Sequence, residues 1–162
     1  MHHGCRKSWA GGLALVGSVF LLLARPGLAS ELAAAAQRLP AFPGAVGWAA
    51  STPGGRGGVI LRVTTLSAEG PGSLQAALAT AGPRIIVFEV GGVIDLGERT
   101  LKIDAPFATI AGQTAPSPGI TLIRGGIDIA THDVIVQHIR IRPGDGGRPK
   151  RSGSDYDAIS TL

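Results

Sequence analysis

The amino-acid sequence predicts an all-β fold of the solenoid kind, with short strands winding into stacked parallel coils. Three observations predict it. From about residue 85 onward the chain is a series of short apolar strands cut by glycine or polar corners, with no long helix. Comparable strands, Ile86-Val87-Phe88, Thr109-Ile110-Ala111, Ile135-Val136 and Ile159, recur at about 20 to 30 residues, the period range of repeat coils. Hairpin dipeptides rarely stand between successive strands; Asp145-Gly146 is the exception, and it sits in a longer loop. Sandwiches and barrels also use many short strands, but a parallel coil needs corners in place of hairpins.

Residues 1–29 read as a secretory signal peptide. Arg6 and Lys7 make a positive start, Trp9 to Ala24 carries no charge, and Gly27-Leu28-Ala29 offers small residues for cleavage before Ser30. The apolar run is shorter than the roughly 20 residues that span a hydrocarbon core, so export is favoured over a retained anchor. Residues 30–40 form a linker, since the helix formers of Glu31 to Leu39 run into Pro40 and Pro43. The solenoid domain then covers residues 41–162.

Ala41 to Gly58, AFPGAVGWAASTPGGRGG, is rich in glycine and turn residues. It lacks the G-x-x-x-x-G-K-[ST] pattern, and no G-x-G-x-x-G stands between a strand and a helix, so it reads as a structural loop and not a phosphate cradle. Val59 to Leu66 is β-branched and strand-like. Ser73 can cap a short helix, Leu74 to Ala81, whose apolar face is Leu74, Ala77, Leu78 and Ala81, and Gly82-Pro83 stops it. Such a helix would lid the first coil, whose apolar interior and strand edges would otherwise meet water. The expected strands that follow are Ile85 to Val90, Leu101 to Ile103, Ala108 to Ala111, Ile120 to Ile123, Ile127 to Ile129, Val134 to Val136, Ile139 to Ile141 and Ala158 to Leu162.

Composition closes off several classes. A length of 162 residues suits one ordinary domain. The single Cys lies in the leader, which excludes a disulfide scaffold and a Cys-based zinc finger. With no Asn anywhere, N-linked glycosylation is impossible. The whole chain carries a net charge of +4, but Arg6, Lys7 and Arg25 leave with the leader, so twelve Lys and Arg then face eleven Asp and Glu. That near-neutral balance, without interleaved aromatics, argues against nucleic acid as a partner. His132 and His138 have no partner at metal-ligand spacing and read as corner histidines, and no G-x-S-x-G elbow supports a Ser-His-Asp triad.

Six segments, in order, resemble one family. AFPGAVGWAASTPGGRGG, GPGSLQAAL, GPRIIVFEVGGVIDL, TIAGQTAPSPGI, DVIVQHIRIRPGD and SDYDAIS are similar to the N-terminal part of bacterial pectate lyases of the right-handed parallel β-helix type. Each piece alone is weak, and the ordered set from Ala41 onward is specific. The resemblance implies a secreted, monomeric enzyme that cleaves polygalacturonate by Ca2+-dependent β-elimination, with an arginine taking the C5 proton. Hard oxygen ligands suit Ca2+, and an ion on the uronate carboxylate would stabilise the carbanion-like state beside it.

By that resemblance Asp155 and Asp157 are the first calcium-binding aspartates. Their i, i+2 spacing on an extended segment puts both carboxylates on one face, where they repel unless a cation joins them. Arg148, Lys150 and Arg151 are weaker candidates for gripping an acidic sugar, as Arg can hold a carboxylate through two parallel bonds. Arg140 and Arg142 alternate with Ile139 and Ile141 and read as the wet face of a strand. Many relatives stack Asn side chains at a corner like that of His138, and a chain without Asn puts that ladder in doubt. No residue matches the family's later carboxylates or its catalytic arginine, so the expectation is an N-terminal fragment, truncated at its C-terminal side and inactive alone. A non-catalytic β-helix that binds acidic polysaccharide, or a lyase for another uronan, stays open.

Overall fold

The structure, a computed structural model, describes residues 39–149 and 157–161. The expected leader, most of the linker, and Lys150, Arg151 and Asp155 lie outside the described residues. Within them the chain forms β1 (Val59–Val63), α1 (Leu74–Leu78), β2 (Arg84–Phe88), β3 (Gly92–Asp95), β4 (Leu101–Ile103), β5 (Ala108–Ala111), β6 (Ile120–Ile123), β7 (Ile127–Ile129), β8 (Val134–Gln137), β9 (Ile139–Arg142) and β10 (Ile159–Thr161). The strands make three sheets, ordered β1-β2-β5-β8, β3-β6-β9 and β4-β7-β10. Every strand pairing is parallel. From β2 onward the chain visits the first, second and third sheets in turn, three times over. Almost all regular structure is therefore parallel strand, consistent with a parallel β-helix.

Register turns the sequence repeat into columns. In the first sheet Ile86 pairs with Ile110 and Ile110 with Val136, so one position recurs after 24 and then 26 residues. In the second, Ile94, Leu122 and Ile141 stack, and in the third Leu101, Ile127 and Ile159. The alternation of strand side chains sends these columns inward, except at Ile159 on the last described strand, which is 43% exposed. Ile86, Ile110, Ile94, Leu122, Leu101 and Ile127 are buried together in one core. Corners are tight: at Gly112 a Cβ would stand 2.4 Å from the His138 carbonyl oxygen of the next coil, which only glycine permits. Among the described residues no helix is long and apolar enough to cross a membrane.

Several expectations are refined. Ile159 does not continue the series of Ile86, Ile110 and Val136; it pairs with Ile127 in the third sheet, because each coil contributes one strand to every sheet. The strand β3 was not expected, as Gly91-Gly92 interrupts any apolar run there; its inner residue Ile94 is buried. The helix α1 is one turn long and ends at Leu78. Its last turn tightens, with the Thr80 amide bonded to the Ala77 carbonyl and the Thr80 hydroxyl to the Ala76 carbonyl, before Gly82 turns at φ +83. Ser73 caps it as expected, its hydroxyl accepting from the Ala76 amide at 3.2 Å. Leu74, Ala77 and Leu78 are buried in the core, and the helix touches β1, β2 and β4.

Arg84 is the unexpected core residue. It is fully buried, and its two terminal nitrogens donate to the carbonyls of Leu78, Gly82, Ala105 and Pro106 at 3.0–3.1 Å. These oxygens come from the helix end and from two corners, so one side chain ties three segments together. The glycine-rich loop lies against the same place. A Cβ at Gly55 would stand 1.8 Å from the Arg84 carbonyl oxygen, and the Gly55 amide donates to Thr109 Oγ1 at 2.9 Å. Close backbone approach accounts for Gly55 and likewise for Gly58, where a Cβ would stand 1.9 Å from the Pro83 carbonyl oxygen. The corner between the first and second sheets carries a short amide pair, Gln113 Nε2 to Gln137 Oε1 at 3.3 Å.

Candidate functional site

The corner joining the second sheet to the third repeats in each coil and builds a cleft of about 270 Å³. Glu98 comes from the first coil, Arg124 from the second, Asp145 and Arg148 from the residues just after β9, and Asp157 from just before β10. Backbone stacking positions them. The Glu98 amide bonds the Arg124 carbonyl at 2.6 Å, and the Arg124 amide bonds the Arg142 carbonyl at 3.2 Å. Glu98 and Arg124 both hold positive φ, 67° and 53°, in the left-handed turns that reverse the chain at this corner.

Glycine admits the last coil. A Cβ at Gly126 would come within 2.5 Å of the Asp157 carbonyl oxygen, so the segment that carries Asp157 rests directly on the coil below. The Ile127 amide then bonds the Ala158 carbonyl at 3.0 Å and starts the β7–β10 pairing. Asp145 shapes the loop, its Oδ1 accepting from the Gly147 amide at 2.9 Å while its carbonyl accepts from Arg148 at 3.0 Å.

Charges in the cleft are mixed. Arg124 grips Asp95 with two parallel bonds of 2.7 Å, Nε to Oδ1 and Nη2 to Oδ2. That pair first, and the Gly97 amide second, hold the Asp95 carboxyl below its ordinary value, and Arg124 is raised in return. Arg148 faces Glu98 across a longer 3.6 Å. Asp157 is exposed and makes no ion pair or side-chain hydrogen bond among the described residues.

Two of the residues expected to serve one function, Asp157 and Arg148, thus line the same cleft. Asp155, Lys150 and Arg151 fall outside the described residues. Arg140 and Arg142 are exposed on the outer side of β9, as their alternation implied, and Arg140 Nη1 is spent on the Pro118 carbonyl at 2.8 Å. Sequence reasoning did not single out Glu98 or Arg124, which lie one coil apart. Only the register, once known, aligns them.

The donor set bears on a cation. Glu98, Asp145 and Asp157 offer hard oxygens, but Glu98 faces Arg148 and Asp145 is engaged by its own turn. No group of three His, Cys, Asp or Glu side chains converges as a metal site among the described residues. By themselves these residues do not make a Ca2+ site, and Asp157 is a single carboxylate poised at the cleft.

Comparison with known proteins adds a direct line. The chain is 47% identical over 123 residues to a probable pectate lyase C of Aspergillus oryzae and to one of Neosartorya fischeri, and 46% identical over the same length to one of Aspergillus fumigatus. Each match covers 75% of this chain and 28% of the relative, so the chain spans little more than a quarter of the relatives it matches. These relatives are fungal, whereas the motifs were likened to bacterial members. No protein-family profile matches the chain.

Proposed function

Over three quarters of its length the chain belongs with the pectate lyases, and from that relationship we propose that it is part of a secreted polysaccharide lyase acting on polygalacturonate by β-elimination. The observation that carries the proposal is the 46–47% identity over 123 residues, supported by a cleft that unites Asp157 with Arg148. In this reading the parallel coils are right-handed, as crossover connections nearly always are, and α1 caps the first of them.

Ca2+ would be held by Asp155 and Asp157 with further oxygens, and when bound it would neutralise the uronate carboxylate. The chain's own residues bind and orient. Arg148 lines the cleft across from Glu98, where its guanidinium would meet a substrate carboxylate, and Lys150 and Arg151 follow it in the sequence. Arg124, locked by two bonds to Asp95, serves as a fixed wall of the cleft. No residue of this chain is assigned as the base that takes the C5 proton.

The test is absorbance of the unsaturated product released from polygalacturonate by the protein in its full gene context, with Ca2+ or with EDTA. We expect the chromophore to grow with Ca2+ and stop with EDTA, and Asp157→Asn to slow it by at least about tenfold, since even the outer-shell partners of metal ligands contribute about 10- to 100-fold. Retention on polygalacturonate without any chromophore would instead establish a non-catalytic binder. Mass spectrometry of the exported protein should find Ser30 at its N-terminus.

A further inference from the structure

Arg124 is fixed through both its backbone and its side chain. Its amide bonds the Arg142 carbonyl at 3.2 Å and its carbonyl accepts from the Glu98 amide at 2.6 Å, so the backbone is pinned between two coils. Its guanidinium meets Asp95 edge to edge, Nε to Oδ1 and Nη2 to Oδ2, both at 2.7 Å. Asp95 is held in turn, since Oδ1 also accepts from the Gly97 amide at 3.0 Å. The strands that bring the two residues to this corner, β3 and β6, are each followed by a further strand in the second sheet.

Exposed ion pairs contribute little to stability, and the Arg124 and Asp95 side chains are 56% and 44% exposed. Three bonds converging on such a pair serve position more than stability. Two of the five N–H donors of the guanidinium are spent on Asp95. The other three form the far edge of the plane, and Nη1 makes no hydrogen bond among the described residues. Arg124 lines the cleft and Asp95 does not, so the carboxylate grips the guanidinium from behind.

Charge decides what the far edge takes. Asp95 cancels the charge of Arg124, and Glu98 is set opposite Arg148. Asp145 and Asp157 are then the charges left over among the described residues lining the cleft. A further carboxylate brought to Arg124 would meet this negative surround with no net positive charge to balance it. A hydroxyl or ring oxygen carries no such penalty and accepts the same N–H bonds. We infer that Arg124 is a specificity-determining residue that reads sugar hydroxyls through its remaining N–H groups, with Asp95 as the residue that positions it and cancels its charge. The inference rests on the lyase reading for its polymer and deepens it, because a contact to hydroxyls survives methyl esterification of the uronates.

Steady-state kinetics and affinity electrophoresis of the protein in its full gene context test it, on polygalacturonate and on the same polymer after partial methyl esterification. In Arg124→Gln we expect KM to rise about tenfold on both polymers, the lower end for a hydrogen bond from a charged donor. Its kcat should stay nearly unchanged, as for a contact made equally in the ground and transition states. Arg124→Lys, which keeps the charge but cannot make two parallel bonds to Asp95, should not rescue KM. Asp95→Asn leaves the guanidinium uncompensated, so the ratio of the two KM values should shift in favour of polygalacturonate, a change that a merely structural role would not produce. An unchanged KM in Arg124→Gln would overturn the inference, and so would a rise confined to polygalacturonate, which would make Arg124 a carboxylate site. An unmoved ratio in Asp95→Asn would remove the role of Asp95. If the wild type releases no unsaturated product, the lyase reading fails and retardation in gels of the two polymers decides: an equal loss in Arg124→Gln upholds the inference, whereas no loss, or no retardation of the wild type, overturns it.

Discussion

Arg84 and Arg124 show how differently one side chain serves at two depths. Arg84 is buried among carbonyl oxygens, and burial holds its pKa below the ordinary value. Removing it would strand four acceptors that belong to three segments. Arg124 is exposed and acts through Asp95, whose carboxyl it keeps low. Because the folded pKa lies below the unfolded one, this pair stabilises the fold above the usual carboxylate pKa of about 3.9, and that contribution is lost as pH falls through the folded value. In Arg124→Gln the Asp95 titration followed by carboxyl NMR should move upward, but not fully to the ordinary value, because the Gly97 amide remains. An unchanged Asp95 titration would show that the pair has no electrostatic content. Neither arginine stood out in the sequence, since their partners lie about one coil away or are backbone atoms that no side-chain pattern records.

At the scale of the element, a strand is worth what its inward column buries. Ile110 is fully buried between Ile86 on one coil and Val136 on the next. Ile110→Ala should cost about 3 kcal/mol in urea unfolding, the middle of the range for such truncations, because neighbours stacked above and below leave little room to collapse into the cavity. A loss under 1 kcal/mol would mean that the column is not close-packed. Strands with clean alternation were legible to the residue: β4, β5, β6 and β7 begin and end where their sequences predict. Less regular elements were not. β3 hides behind two glycines, and α1 stops early because threonine hydroxyl and amide bonds tighten its final turn.

Across the whole molecule, stability is expected to be unequal along the stack. Among the described residues, the coil of β5, β6 and β7 has its strands paired on both sides in all three sheets. Its amides should exchange most slowly with deuterium, with β3 and β4 faster because each has one neighbour; uniform exchange across the three coils would contradict a stack built by nearest-neighbour pairing. The sequence by itself determined most of the strand text, the corner glycines and the kinship, because alternation and ordered motifs are local signals. Only the tertiary structure decided which strands share a sheet, that Arg84 ties the first corner, and that Glu98 and Arg124 join Asp157 in one cleft. Each of those depends on coil register, set by how many residues every corner takes before the next strand docks, and that count emerges only when the coils stack.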